Sequence, residues 1–226
     1  MIGFLCLLLT VGIYMVAKRM YRSLPKVYLS PLLITPLLVV GILLVTGTDY
    51  AAYSSGGKWL SLLLQPATVA FAVPLYTFFH VLKKHISEIV VSVMTGSVVA
   101  VLSSAMLAKW LHLDSGLIHS LIPRSITTPI AMNVSASIGG IPAVTAVFVI
   151  MTGLLGAIMG PSIVKMLRID GEIARGTLLG TGAHGTGTSK AFELSSLTGT
   201  ISSISMVLAA LFTLAVAPAL SKLIFP

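Results

Sequence analysis

Charge is what this chain has least of. Asp, Glu, Lys and Arg together make up 9% of its 226 residues, against about 25% in an ordinary soluble domain. Acids are the scarcer sign, with 6 Asp and Glu against 14 Lys and Arg. There is 1 cysteine, Cys6, set in an apolar run. That excludes an internal disulfide framework and any cysteine-built metal site. What is present is apolar: 56% of the residues are hydrophobic and the mean hydropathy is +1.04. A soluble fold of this length cannot hide so much apolar surface, because most of a small domain's skin stays wet. The chain therefore reads as an all-α polytopic membrane protein. The soluble-enzyme, nucleic-acid-binding and disordered-chain classes are excluded. The net charge of +8 is no nucleic-acid footprint, since the basic residues lie between apolar runs, where they orient a membrane protein.

Residues 1–17 are apolar, and Lys18, Arg19, Arg22 and Lys26 follow them. A cleaved signal peptide has the opposite polarity. The positive-inside rule then places the N-terminus outside. A second span is expected over 29–47, followed by a polar outer stretch from Asp49 to Lys58. The span at 59–79 contains Pro66 and Pro74, which break or kink a helix, and 86–108 reads as a clean helix.

Two later stretches are apolar yet full of hydroxyls, glycines or prolines: 114–140 and 170–192. Irregular backbone at membrane depth is tolerated only inside protein or beside water. Each is followed by an apolar helix, over 141–167 and 193–222. Two topologies fit, within about six to eight passes at roughly 20 residues each. Either both broken stretches cross, giving the larger number, or both are re-entrant hairpins, giving the smaller. The second puts Lys165, Arg168 and Arg175 in the cytoplasm. It also makes two hairpin-plus-helix units of opposite orientation, the arrangement of an inverted repeat. Residues 1–226 read as a single integral membrane domain.

Polar groups inside a membrane are costly, so a cluster of them needs a reason. One cluster runs from Arg124 through Thr127 and Thr128 to Asn133. The other holds Thr181, His184, Gly185, Thr186, Gly187, Thr188, Lys190 and Glu193. A broken helix exposes free backbone N–H groups and about half a positive charge at the new N-terminus. Glycine lets a ligand approach that backbone. Such a site suits a small carboxylate. Pro66 and Thr68 on the broken third span are expected to line the path. Lys190 and Glu193, one helical turn apart, read as an ion pair that neutralises both.

Other chemistries fit poorly. Gly180 to Gly185 matches the G-x-G-x-x-G pattern, but no strand precedes it and Ser205 stands where an acid is needed. A hydrolase built on Ser189 and His184 lacks an orienting partner. His80 and His85 sit in a basic loop and read as solvated. No catalytic residue, metal or cofactor is expected.

Three segments carry a resemblance: LQPATVAFAVPLY at 64–76, PRSITTPIAMNVSASIGGIPAVTAVFVIMTGLLGAIMGP at 123–161 and ARGTLLGTGAHGTGTSKAFE at 174–193. In this order they resemble the LrgB/CidB/YohK family. They are also similar to the membrane half of the plastidial glycolate/glycerate translocator. The likeness covers nearly the whole chain. The family's basic residue before Thr-Thr-Pro-Ile-Ala is met by Arg124. Its basic residue near Glu193 is often Arg, and Lys190 departs from that.

The resemblance implies one of two functions. The first is a secondary carrier of small monocarboxylates such as glycolate, glycerate, pyruvate or lactate, working by alternating access. The second is a holin- or antiholin-like regulator of murein hydrolase export and cell lysis, acting with a small LrgA/CidA-type membrane partner. The two polar clusters favour the carrier, since a pore-former needs only apolar helices that associate. A homo-oligomer in a bacterial cytoplasmic membrane is expected, because no plastid transit peptide is seen.

Overall fold

The structure, a computed structural model, describes residues 2–24, 29–63, 66 and 72–224. Among them the fold is all helical, and the chain divides into two compact units, Met1–Ala72 and Val73–Pro226.

The first unit holds α1 (Ile2–Ser23), α2 (Pro31–Thr46) and α3 (Tyr50–Leu62). Pro31 opens α2, where its missing N–H costs nothing, and Gly47 closes it in the left-handed conformation at φ 62°. The polar stretch after Asp49 is helix α3. Gly56 of α3 packs on Gly3 of α1 so closely that a Cβ on Gly56 would strike the Gly3 carbonyl.

The second unit begins within α4 (Ala72–Thr77), at Val73, and continues with α5 (Phe79–Trp110), α6 (Ser115–Leu121), α7 (Thr128–Ser137), α8 (Pro142–Met166), α9 (Glu172–Leu194) and α10 (Ser196–Ile224). Its core joins Ile89, Val93 and Val101 of α5 to Ile122, Ile126, Ala131 and Val134 around α7, Val149 of α8, and Ile201 and Ala209 of α10. The backbone of α5 is non-helical at His85, which kinks it near its start.

The expectation of about six to eight passes is overturned. Among the described residues four helices are long and apolar enough to cross a membrane: Ile2–Ser23, Phe79–Trp110, Pro142–Met166 and Ser196–Ser221. The reason is length. A crossing helix needs about 20 apolar residues, whereas α2 has 16 residues, α3 has 13, α6 has 7 and α7 has 10. The inverted repeat was expected with the smaller of the two pass numbers, and that number is overturned as well.

α9 is long enough, at 23 residues, but it is not one rod. His184 breaks it at φ 41° and ψ −130°. A straight helix of this length would separate its ends by about 34 Å, yet the Ser195 hydroxyl donates a hydrogen bond to Glu172. Gly187 lies against the Leu179 carbonyl and the Ala183 methyl. The second half of α9 therefore folds back along the first, with His184 at the tip.

The segment from α6 to α7 returns on itself too. The Ile141 N–H donates to the Ser120 hydroxyl at 2.7 Å, and Gly140 packs on the backbone of His119 and Ser120. Thr145 at the start of α8 donates to Ser135 of α7 at 2.7 Å, fixing the returning arm.

Candidate functional site

A cavity of about 820 Å³ lies within the second unit, between α5, α9 and the connector that holds Arg124. One wall is the row Glu88, Ser92, Gly96 and Ala100 of α5, at the fourfold spacing that puts residues on one helix face. From Glu88 to Ala100 the row spans about 18 Å. It runs from exposed Glu88 and Ser92 to half-buried Gly96 and Ala100, and Ser104, next in the row, is buried. The small residues of this row leave the space that forms the cavity. The opposite wall is the first half of α9, with Ala174, Thr177, Leu178, Thr181 and Gly182.

Arg124 stands at the inner end. Its Nε donates to the Ser104 hydroxyl at 2.8 Å, and its Nη1 donates to the Thr152 hydroxyl at 3.4 Å. The ion pairs formed by the described residues are His85–Glu88, Arg175–Asp170 and Lys190–Glu193, so Arg124 has no carboxylate partner among them. A half-buried guanidinium bonded only to neutral hydroxyls keeps its charge uncompensated and retains donors for an anion. Thr177 and Thr181 line the same space. The hydroxyls of Thr177 and Thr181 are buried and have no hydrogen-bond partner among the described residues. A buried hydroxyl without a partner is costly, and either would gain one by turning toward a ligand oxygen in this space. Buried Ser125 completes the polar lining.

The cavity brings together the two polar stretches noted in the sequence, through Arg124 from one and Thr181 from the other. The other named residues lie elsewhere. Thr127 and Thr128 start α7 half-buried, and the Thr127 side chain makes no cap bond. Asn133 is exposed. The His184 ring N–H donates to the Val149 carbonyl at 3.0 Å. Gly153 on α8 admits that ring and the Thr186 hydroxyl, since a Cβ there would meet both. The Thr188 and Ser202 hydroxyls bond each other at 3.0 Å. Gly185 follows the break, and Gly187 is the contact that lets the arms of α9 close. Lys190 Nζ lies 2.7 Å from Glu193 Oε2. Pro66 is exposed, and Thr68 lies outside the described residues. No group of three or more His, Cys, Asp or Glu side chains that could hold a metal occurs among the described residues.

Thr177 and Ser104 were not singled out in the sequence. A usable signal existed for Thr177. It shares a helix stripe with Thr181 and His184 at i, i+4 and i+7, a polar line on a segment flanked by apolar residues. The glycines at 153, 156 and 160 face α9. A Cβ on Gly156 would meet Ala183, and one on Gly160 would meet Leu179.

Residues 10–223 match the model of the LrgB-like family. The uncharacterized protein YwbG of Bacillus subtilis strain 168 is 61% identical over 217 residues, covering 96% of each chain. YxaC of the same organism is 40% identical over 209 residues, 92% of this chain and 91% of that one. The holin-like protein CidB of Staphylococcus aureus is 35% identical over 221 residues, 98% of this chain and 96% of that one. No solved structure matches.

Proposed function

The chain belongs to the LrgB-like family, a family of non-enzymatic membrane proteins, and from that premise we propose that it carries small monocarboxylates across the membrane. One observation supports this above the others. Arg124 projects an uncompensated positive charge into a cavity that also holds the unpartnered hydroxyls of Thr177 and Thr181. A monocarboxylate supplies the missing charge, and a neighbouring hydroxyl or keto oxygen supplies a partner for a threonine. Charge-assisted bonds to a guanidinium are the strong ones. Glycolate, glycerate, pyruvate and lactate all have this form. The basic residues Lys18, Arg19 and Arg22 after the first span suit an orientation with the N-terminus outside, in a bacterial cytoplasmic membrane.

The test is uptake of labelled glycolate, pyruvate and lactate into proteoliposomes holding the purified chain. Saturable uptake lost in Arg124→Met supports the proposal. Folded protein that moves none of these acids overturns it.

A second reading has its own support, and the comparisons favour it over the carrier. Relatives with 35% identity across nearly their whole length bear the name holin-like protein. On this reading the chain regulates lysis with a small LrgA/CidA-type membrane partner. It predicts release of solutes larger than pyruvate, dependent on that partner. Size-graded dye release from vesicles separates the two.

A further inference from the structure

Two serines interrupt the core of the second unit. On α5, Ser97 sits between Val93 and Val101 at the four-residue spacing that keeps to one helix face. On α10, Ser205 sits likewise between Ile201 and Ala209. The four apolar residues belong to one core, and α5 packs on α10. Ser97 is 1% exposed and Ser205 0%, and neither hydroxyl has a hydrogen-bond partner among the described residues. Other hydroxyls of these two helices behave differently. Ser104 donates to the Ala100 carbonyl at 2.6 Å, Ser203 to that of Gly199 at 2.9 Å and Thr200 to that of Ser196 at 2.8 Å, the usual bond back to position i−4. Ser97 and Ser205 forgo it. An unpartnered buried hydroxyl is costly, and alanine would pack at either place without that cost.

A third unpartnered hydroxyl, that of Thr181, lies at the same depth. A Cβ on Gly96 would stand 3.2 Å from the Thr181 methyl, so Ser97 is one residue beyond the level of Thr181. A Cβ on Gly180 would meet Ser202 of α10, and one on Gly185 would meet Met206. Ser205 therefore falls between those two levels. Ser97, Thr181 and Ser205 thus approach from three helices at one depth, that of the break in α9. Thr181 is three residues before His184, in the last turn of the first half. The C-terminal end of a helix presents carbonyls without helical partners and about half a negative charge.

We infer that the hydroxyls of Ser97, Thr181 and Ser205, with the carbonyl end of the first half of α9, hold a small monovalent cation, Na⁺. The inference goes beyond the carrier reading, to which it would supply a motive ion. Oxygen ligands suit a hard cation, and a set of neutral oxygens suits a single charge rather than two. Glu88, nine residues before Ser97, is about 13 Å away along α5. Arg124 is the opposing charge. Ser104, which holds its Nε, lies seven residues beyond Ser97, about 10 Å along α5. A carboxylate bound to Arg124 neutralises it, so acid and cation favour each other's binding. The Thr181 hydroxyl can serve both, with one donor for the acid and lone pairs for the ion.

The experiment measures binding of radiolabelled Na⁺ to the purified full chain in detergent, in choline chloride and with no acid present. Saturable binding is expected, displaced by unlabelled Na⁺ and not by equal K⁺. The melting temperature should rise with Na⁺ at constant ionic strength. Ser97→Ala and Ser205→Ala should each weaken Na⁺ binding by about 10- to 100-fold. In choline chloride both should melt at or above the wild-type temperature, since each removes an unpartnered hydroxyl, which shows that they fold. Ser203→Ala, which loses a hydroxyl outside the set, keeps wild-type affinity. Folded wild type that binds no Na⁺, unchanged affinity in either Ser97→Ala or Ser205→Ala, or displacement by K⁺ as strong as by Na⁺ overturns the inference. Such a result leaves the carrier reading standing, because no acid takes part, and a failure of acid uptake likewise leaves a measured Na⁺ site in place.

Discussion

Arg124 and Ser104 are joined by a hydrogen bond of 2.8 Å from Nε to the hydroxyl, which fixes the near side of the guanidinium and leaves its far side to the cavity. Hydrogen bonds to charged groups contribute about 1.5–3 kcal/mol. Arg124→Met is expected to weaken binding of a small acid by about 10- to 100-fold, read by equilibrium dialysis of labelled pyruvate. Arg124→Lys keeps a charge but loses the planar fork, and an intermediate loss is expected. Wild-type affinity in the Met variant would remove the guanidinium from the site.

Thr177 and Thr181 invite a split between stability and binding. Their hydroxyls have no partner among the described residues. Removing an unsatisfied buried hydroxyl is neutral or stabilising. Thr177→Val and Thr181→Val should melt at or above the wild-type temperature, while the affinity for a hydroxy acid drops about fivefold to tenfold. A drop in melting temperature with unchanged affinity would assign them a structural role instead.

Thr188 shows the opposite pattern. It shares a hydrogen bond with Ser202, which is fully buried. Thr188→Val leaves the Ser202 hydroxyl stranded, a loss of about 1–3 kcal/mol. The double variant Thr188→Val with Ser202→Ala should recover part of that loss, because both polar groups are then gone. Thermal unfolding in detergent checks this, and strict additivity would contradict it.

The backbone at His184 predicts an unusual ranking. Its φ of 41° is a conformation that strains any side chain and suits glycine. Both His184→Gly and His184→Ala lose the bond to Val149, but only glycine relieves the strain. The glycine variant should therefore be more stable than the alanine one by about 1 kcal/mol. The reverse order, as in an ordinary helix interior, would show that the turn is absent.

The fold-back of α9 can be trapped. With Cys6 replaced by Ser, the pair Glu172→Cys and Ser195→Cys should be joined by a short bis-maleimide, because the parent side chains already touch. An intact mass raised by a single linker, with both thiols consumed, would report it. Two cysteines at opposite ends of a continuous helix, about 34 Å apart, would not be joined.

The membrane class and the family were both legible in the sequence, the first from scarce charge and the second from motifs in order. The number of crossing helices was not. Hydropathy sums apolar residues without showing where a helix stops, and it gave no warning that the residues after Asp49 coil into a short helix. Nor did it separate α6 and α7, too short to cross, from the longer spans. Arg124 and Thr181 stood out because they are polar in apolar surroundings. Their shared cavity did not, since it depends on Ser92, Gly96, Ala100 and Ser104 of α5. Small residues at that spacing read equally well as a surface for close helix contact. Which helix faces that row is a tertiary fact, and one sequence holds no direct trace of it.

The closure of Glu172 on Ser195 also governs the chain's itinerary. A segment that ends where it began adds no net travel, so α10 sets out beside the point where α9 began. The return of Ile141 to Ser120 acts likewise between α5 and α8. An insertion at the tip beside His184 would lengthen the excursion of α9 without moving the point from which α10 sets out.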